Sequence, residues 1–197
     1  WLNEGFATFL TYAWSEYDHG RDAAEYGRRW MLSSVRWADK SDRRPMVQYY
    51  YESDMDLFDS NIYAKGALVL NMLRQMLGYD AFWRTIRQYT NTYQFKNVES
   101  QDLKRVFEDV TGQNLEWFFD QWVYTGGLPH LDIKYKYNRR NQHVKLTIRQ
   151  TQDVATSSLF RLPLTVLIDN GGDIVRQDIW IEEEESTFLI PSIRDPN

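Results

Sequence analysis

The chain has 197 residues, a formal net charge of -5 and 43% apolar residues, enough for one large domain or two modest ones with a buried core. The acidic balance gives no electrostatic basis for binding nucleic acid, and no apolar run approaches the roughly 20 residues that span a bilayer. The absence of cysteine removes disulfides, thiolate nucleophiles and Cys-based metal sites together.

Aromatic residues make up 16% of the chain, which points to thick helix packing or to a surface that meets another domain. Leu2, Phe6, Phe9, Leu10, Ala13 and Trp14 recur at three- and four-residue steps and predict an amphipathic helix to about Tyr17, closed by Gly20. Ala24, Trp30, Leu32 and Val35 carry a second helical pattern over Arg21 to Trp37. A polar, irregular stretch follows from Ala38 to Asp59, containing Pro45 and the cluster Tyr49-Tyr50-Tyr51. Asp59, Ser60 and Asn61 then offer caps for an apolar helix from Ile62 to Leu77, stopped by Gly78. Leu68, Leu70, Leu73, Met76 and Leu77 occupy most of its circumference, the mark of a helix buried inside a domain. Asp80 is expected to cap another helix to about Tyr89. Further helices are expected over Ser100 to Val110, ended by Gly112, and after Asn114 through Trp117, Phe118 and Trp122.

At Gly126-Gly127 the hydrophobic period changes to two. His130 to Tyr137, Gln142 to Gln150, Arg161 to Ile168, Asp173 to Ile181 and Ser186 to Pro191 read as strands, with Asp169-Asn170-Gly171-Gly172 as one turn between them. The run Glu182 to Glu185 reads as a solvated turn. The expected fold class is therefore α+β, with a helical part over residues 1-127 and a small antiparallel β-sandwich over 128-197, with room for a final strand beyond Asn197.

Two positions carry candidate chemistry. Glu4 stands in the first turn of a helix among Trp1, Leu2 and Phe6, where a carboxylate is costly to bury unless a cation meets it. It is followed by Gly5, which costs a helix about 1 kcal/mol relative to Ala and asks for a close-packing or site-related reason. A zinc ion would suit the carboxylate, though an exposed helix glutamate is the commoner explanation. Tyr63, at a helix start, reads either as a core aromatic or as a phenol aimed into a cleft, where it could donate to an oxyanion. Gly66, one turn on, would let another backbone come close.

The heptapeptide Trp1-Leu2-Asn3-Glu4-Gly5-Phe6-Ala7, followed by Tyr63-Ala64-Lys65-Gly66-Ala67, resembles the aminopeptidase N family of zinc metallopeptidases. These are gluzincins, a group that includes leukotriene A4 hydrolase. The resemblance continues through Arg44-Pro45-Met46, Leu57-Phe58-Asp59, Met72-Leu73, Leu77-Gly78, Trp122, Gly126-Gly127 and Pro129. It implies that Glu4 is a zinc ligand, that Tyr63 steadies the tetrahedral intermediate, and that the substrates are peptides with a free N-terminus. It also implies that a helical catalytic subdomain passes into a β-sandwich.

One departure is large. No H-E-x-x-H occurs, and the three histidines, His19, His130 and His143, lack the i, i+4 helical pairing that motif provides. By the resemblance, the motif, its general-base glutamate and the Gly-x-Met-Glu-Asn segment all precede residue 1. The chain, which opens on Trp inside a helical pattern, thus reads as a segment of a longer enzyme whose missing partners are its own upstream catalytic segment and N-terminal domain. With one ligand of three, the isolated segment is expected neither to hold zinc tightly nor to hydrolyse peptides. The competing readings are a non-catalytic relative acting as a protein-interaction scaffold and an independent interaction module.

Overall fold

The computed structural model describes residues 1-195 and divides into two compact units, Trp1-Gly127 and the part that begins at Leu128. The first unit contains six α-helices: α1 (Leu2-His19), α2 (Arg21-Ser41), α3 (Gly66-Leu77), α4 (Tyr79-Tyr93), α5 (Ser100-Thr111) and α6 (Glu116-Trp122). Gly20 and Gly78, both at φ 86°, end α1 and α3 and start the next helix without a linker. An L-residue with a side chain rarely adopts that backbone, so glycine sets these corners. As a result α4 begins at Tyr79, and Asp80 lies in its first turn instead of capping it. The α5 start is held by a capping box in which Glu99 and Asp102 each accept the other's backbone N–H.

The core of this unit is aromatic and aliphatic. Phe9 of α1 is fully buried and meets Phe82 edge-on at 5.3 Å, and Phe82 in turn packs on Phe107 at 5.8 Å. Leu70, Leu73 and Leu103 are also fully buried, so α1, α3, α4 and α5 share one packed interior. A buried cation completes it: Arg74 of α3 lies over the rings of Phe9 and Tyr12 and donates to Glu16 at 2.7 Å. Burying each such ring contributes on the order of 2-3 kcal/mol, which makes the α1-α3 contact rigid enough to hold a site.

Between α2 and α3 the chain is irregular. It contains one 3-10 turn, Asp54-Leu57, and a π turn, Asn61-Lys65, that leads directly into α3. The sequence pattern predicts unbroken α-helix from Ile62. The structure instead opens this helix with the wider turn, in which the Lys65 N–H reaches back to the Ser60 carbonyl at 2.9 Å.

The second unit contains β1 (Leu131-Asn138), β2 (His143-Gln150), β3 (Leu162-Asp169), β4 (Ile174-Ile181) and β5 (Glu185-Pro191). They form an antiparallel sheet in the order β1-β2-β5 and an antiparallel pair β3-β4. Val144, Leu146, Ile148 and Gln150 alternate into the interior along β2, and Leu162, Ile168, Ile179, Ile181 and Ile190 supply apolar side chains to the same core. The β3-β4 turn is set by Asp169, whose Oδ1 accepts the N–H groups of Gly171 and Gly172 at 2.6 and 2.8 Å. The acidic run is not wholly a turn. Glu182-Glu184 are exposed, Glu182 pairing with Arg161 and Glu184 with Arg149, but Glu185 already belongs to β5, opposite Arg149. The final two positions of the expected 128-197 β-domain, and any strand beyond them, lie outside the described residues.

Candidate active site

The geometry of the site follows from two glycines. A Cβ placed on Gly5 of α1 would lie 3.1 Å from the Gly66 Cα and 3.3 Å from the Ile62 carbonyl oxygen. One placed on Gly66 would lie 3.0 Å from the Gly5 Cα. The two helices therefore touch backbone to backbone at this point, where no side chain fits. Glu4 immediately precedes one glycine, and Tyr63 stands one turn before the other. The close crossing brings both side chains to the same cleft of about 420 Å³, walled by α1 and α2. Thr8, Thr11, Tyr12 and Met31 line the cleft further along.

Glu4 and Tyr63 are both half-buried. The Tyr63 phenol is held above its ordinary pKa of 10.0, first by desolvation, then by the negative charge of Glu4 and by a side-chain hydrogen bond with it. A phenol is protonated at neutral pH even at its ordinary pKa, so the hydroxyl is a donor, here toward the Glu4 carboxylate. The Phe58 ring flanks the phenol, with centroids 6.4 Å apart.

The wider turn that carries Tyr63 is fixed from its N-terminal side. Asp59 accepts the Asn61 backbone N–H on Oδ1 at 2.8 Å and the Asn61 side-chain amide on Oδ2 at 2.9 Å. Its main-chain carbonyl accepts from both Ile62 and Tyr63 at 3.2 Å. The Lys65 ammonium, on a side chain only 4% exposed, is pushed down to about 8 by desolvation, against the opposing charge of Asp39. Arg44 lowers it further and Asp59 raises it.

The histidines lie elsewhere. His19 is exposed at the end of α1 beside Asp18, while His130 and His143 belong to the β unit. Among the described residues, no group of three or more His, Cys, Asp or Glu is gathered as a metal site. Glu4 offers one oxygen donor, and a zinc ion needs further protein ligands, so the donors of this chain do not by themselves fit the metal. Tyr49, Tyr50 and Tyr51 are exposed and are not among the residues lining the cleft.

Residues 1-122 match the model of the peptidase family M1 domain. The chain belongs to peptidase family M1. Residues 126-193 of this M1 chain match a second model, the TAF2 Ig-like domain. The M1 chain is 30% identical over 146 residues to aminopeptidase M1-D of Oryza sativa subsp. japonica, an alignment that covers 69% of this chain and 16% of the rice protein. It superposes with a TM-score of 0.74 on aminopeptidase A of Legionella pneumophila, solved with aspartic acid. The match covers 99% of this chain and 22% of the other at 19% identity, which speaks for the fold. An M1 zinc metallopeptidase mutant from Deinococcus radiodurans, solved with a Tyr-Ser-Ala substrate, aligns at 28% identity and a TM-score of 0.54. It covers 66% of this chain and 28% of the other. The M1 chain thus spans between 16% and 28% of the length of these relatives.

Sequence reasoning left Arg44, Asp59 and Lys65 without roles at the site, although all three fall in segments that carry the resemblance. The available signal was Asp59 two residues before Asn61, a spacing at which a carboxylate caps the following backbone. Its carbonyl accepts from Tyr63 in an ordinary i to i−4 bond, whereas the π turn, closed by the Lys65 N–H on the Ser60 carbonyl, is announced by no local pattern.

Proposed function

We propose that this chain is part of the catalytic domain of a zinc-dependent aminopeptidase acting on peptides with a free N-terminus. Glu4 is assigned as one ligand of the zinc ion, beside donors supplied from outside this chain. Tyr63 is assigned as the hydrogen-bond donor to the substrate oxyanion. The observation that carries this reading is the Gly5-Gly66 contact, which sets a carboxylate and a protonated phenol side by side at one end of a cleft. A metal ligand and an oxyanion donor must share a site only a few ångströms across, because both act on the same carbonyl. Family membership and the peptide bound to the Deinococcus relative support peptide substrates.

The chemistry assigned to this chain's own residues is limited and specific. As the scissile carbonyl becomes tetrahedral, its oxygen gains negative charge, and the Tyr63 O–H donates to it. A phenol carries its proton at neutral pH at its ordinary pKa of about 10, so the donor is in place without any perturbation. Glu4 holds negative charge at a fixed place and thereby fixes where a bound cation sits.

The test uses the full-length protein. Tyr63→Phe keeps the ring and removes one hydroxyl, so zinc content should stay at the wild-type level while kcat falls on the order of 100- to 1,000-fold. Glu4→Gln should lower zinc content together with activity. A Tyr63→Phe enzyme with wild-type kcat, or a Glu4→Gln enzyme with full zinc, refutes the corresponding role.

A further inference from the structure

The chain that holds Tyr63 in place can be followed back to an ion pair between a buried arginine and a half-buried aspartate. Arg44 is 7% exposed, and its Nη2 lies 2.8 Å from Asp59 Oδ1. The same Nη2 donates to the Leu57 carbonyl at 3.3 Å, Nη1 donates to the Pro45 carbonyl at 3.1 Å, and Nε pairs with Asp42 at 3.2 Å. The segment bearing Arg44 is itself anchored. The Met46 and Val47 N–H groups both donate to the Val123 carbonyl at the end of α6, at 3.1 and 3.2 Å. Gly126 packs so closely behind Arg43 that a Cβ there would lie 2.8 Å from the Arg43 carbonyl oxygen. Asp59 then passes this fixed position on, through its carboxylate to Asn61 and through its carbonyl to Ile62 and Tyr63.

We propose that Arg44 and Asp59 are positioning residues that act through Tyr63. The buried guanidinium fixes the Asp59 carboxylate, and Asp59 caps the start of the turn that carries the phenol and so sets its aim at the substrate oxygen. This inference rests on the assignment of Tyr63 as oxyanion donor. The physical argument is directional. A guanidinium held by four oxygen acceptors has one geometry, and a carboxylate paired with it cannot rotate away from the Asn61 amide. Without that pairing Asp59 is free to adopt other rotamers, and the turn loses the cap on the Asn61 N–H and side-chain amide. Either change displaces the Tyr63 hydroxyl, and an oxyanion donor acts only over a narrow range of position.

The deciding experiment is a double-mutant cycle in the full-length enzyme. Asp59→Ala should lower kcat on the order of 10- to 100-fold, with KM within about threefold of wild type and unchanged zinc content. In a Tyr63→Phe background the same substitution should cost less than about threefold, because the group it positions is already gone. Asp59→Asn, which keeps an oxygen acceptor for the Asn61 N–H but loses the charge pairing with Arg44, should fall between Asp59→Ala and wild type. Arg44→Lys should resemble Asp59→Asn. If Asp59→Ala does not fold, Asp59→Asn and Arg44→Lys carry the same cycle.

Additive losses in the two backgrounds, or a KM effect without a kcat effect, overturn the positioning role and leave the Tyr63 assignment standing. A Tyr63→Phe enzyme with wild-type kcat overturns that assignment, and the positioning role falls with it.

Discussion

Replacing Gly5 by alanine adds one methyl group at the point on which the whole site depends. The new Cβ would meet the Gly66 Cα at 3.1 Å, the Gly66 carbonyl carbon at 3.2 Å and the Ile62 oxygen at 3.3 Å. All three are backbone atoms of a packed helix and its entry turn, so no side chain can swing aside. Overpacking of this kind costs about 1-3 kcal/mol, against a gain of about 1 kcal/mol from alanine's better helix propensity. A net loss of up to about 2 kcal/mol is expected, equivalent to up to about 1 M in the urea midpoint for an m-value near 2 kcal/mol/M. Gly27 supplies the control. It lies within α2, and a Cβ there meets nothing within 4 Å, so Gly27→Ala should gain up to about 1 kcal/mol. Urea unfolding followed by tryptophan fluorescence reports chiefly on the helical unit, since seven of the eight tryptophans precede residue 127. A Gly5→Ala chain as stable as Gly27→Ala would falsify the backbone-contact argument, and with it the reason Glu4 and Tyr63 share a cleft.

Lys65 offers a test with a defined pH window. Its pKa is 10.5 ordinarily and about 8 in the folded chain, so between those values the unfolded chain holds a proton that the folded chain has released. Stability from this group therefore rises with pH through about 8 to 10.5. Below about 8 its full cost remains, about 3 kcal/mol. Lys65→Met should accordingly be more stable than wild type at pH 7, with the difference shrinking toward pH 10.5. A difference independent of pH, measured by denaturation in matched buffers, would show that burial does not perturb this lysine. In the β unit, Gln150 is buried and exchanges hydrogen bonds with the Phe160 N–H and carbonyl, both at 2.8 Å. Gln150→Leu should cost about 2-3 kcal/mol and speed amide exchange at Phe160, and unchanged exchange there would refute the clamp. Finally, the 197-residue chain alone, supplied with zinc, should not hydrolyse a chromogenic amino-acid amide, because Glu4 is its single assigned ligand. Turnover abolished by a chelator would mean the active site is misplaced.

The sequence by itself determined the class of each half of the chain. The three- and four-residue recurrence before Gly126 and the two-residue recurrence after it are local properties, and helix and strand follow from them directly. Gly20, Gly78 and Gly112 ended helices for an equally local reason, since each takes a positive φ that other residues resist. The motif around Glu4 and the one around Tyr63 were both legible as strings of residues.

What no string contains is the distance between them. Gly5 and Gly66 each permit a close approach, but only the packing of α1 on α3 makes each the other's partner. The π turn was likewise invisible, because its residues favour an ordinary helix and nothing local singles out the Lys65 N–H to reach the Ser60 carbonyl. The burial of Lys65 and the division of five strands into β1-β2-β5 and β3-β4 have the same origin. Local pattern decides which element a segment forms. Which elements touch is decided by the sum of many weak contacts over the whole unit, and the site exists only at that level.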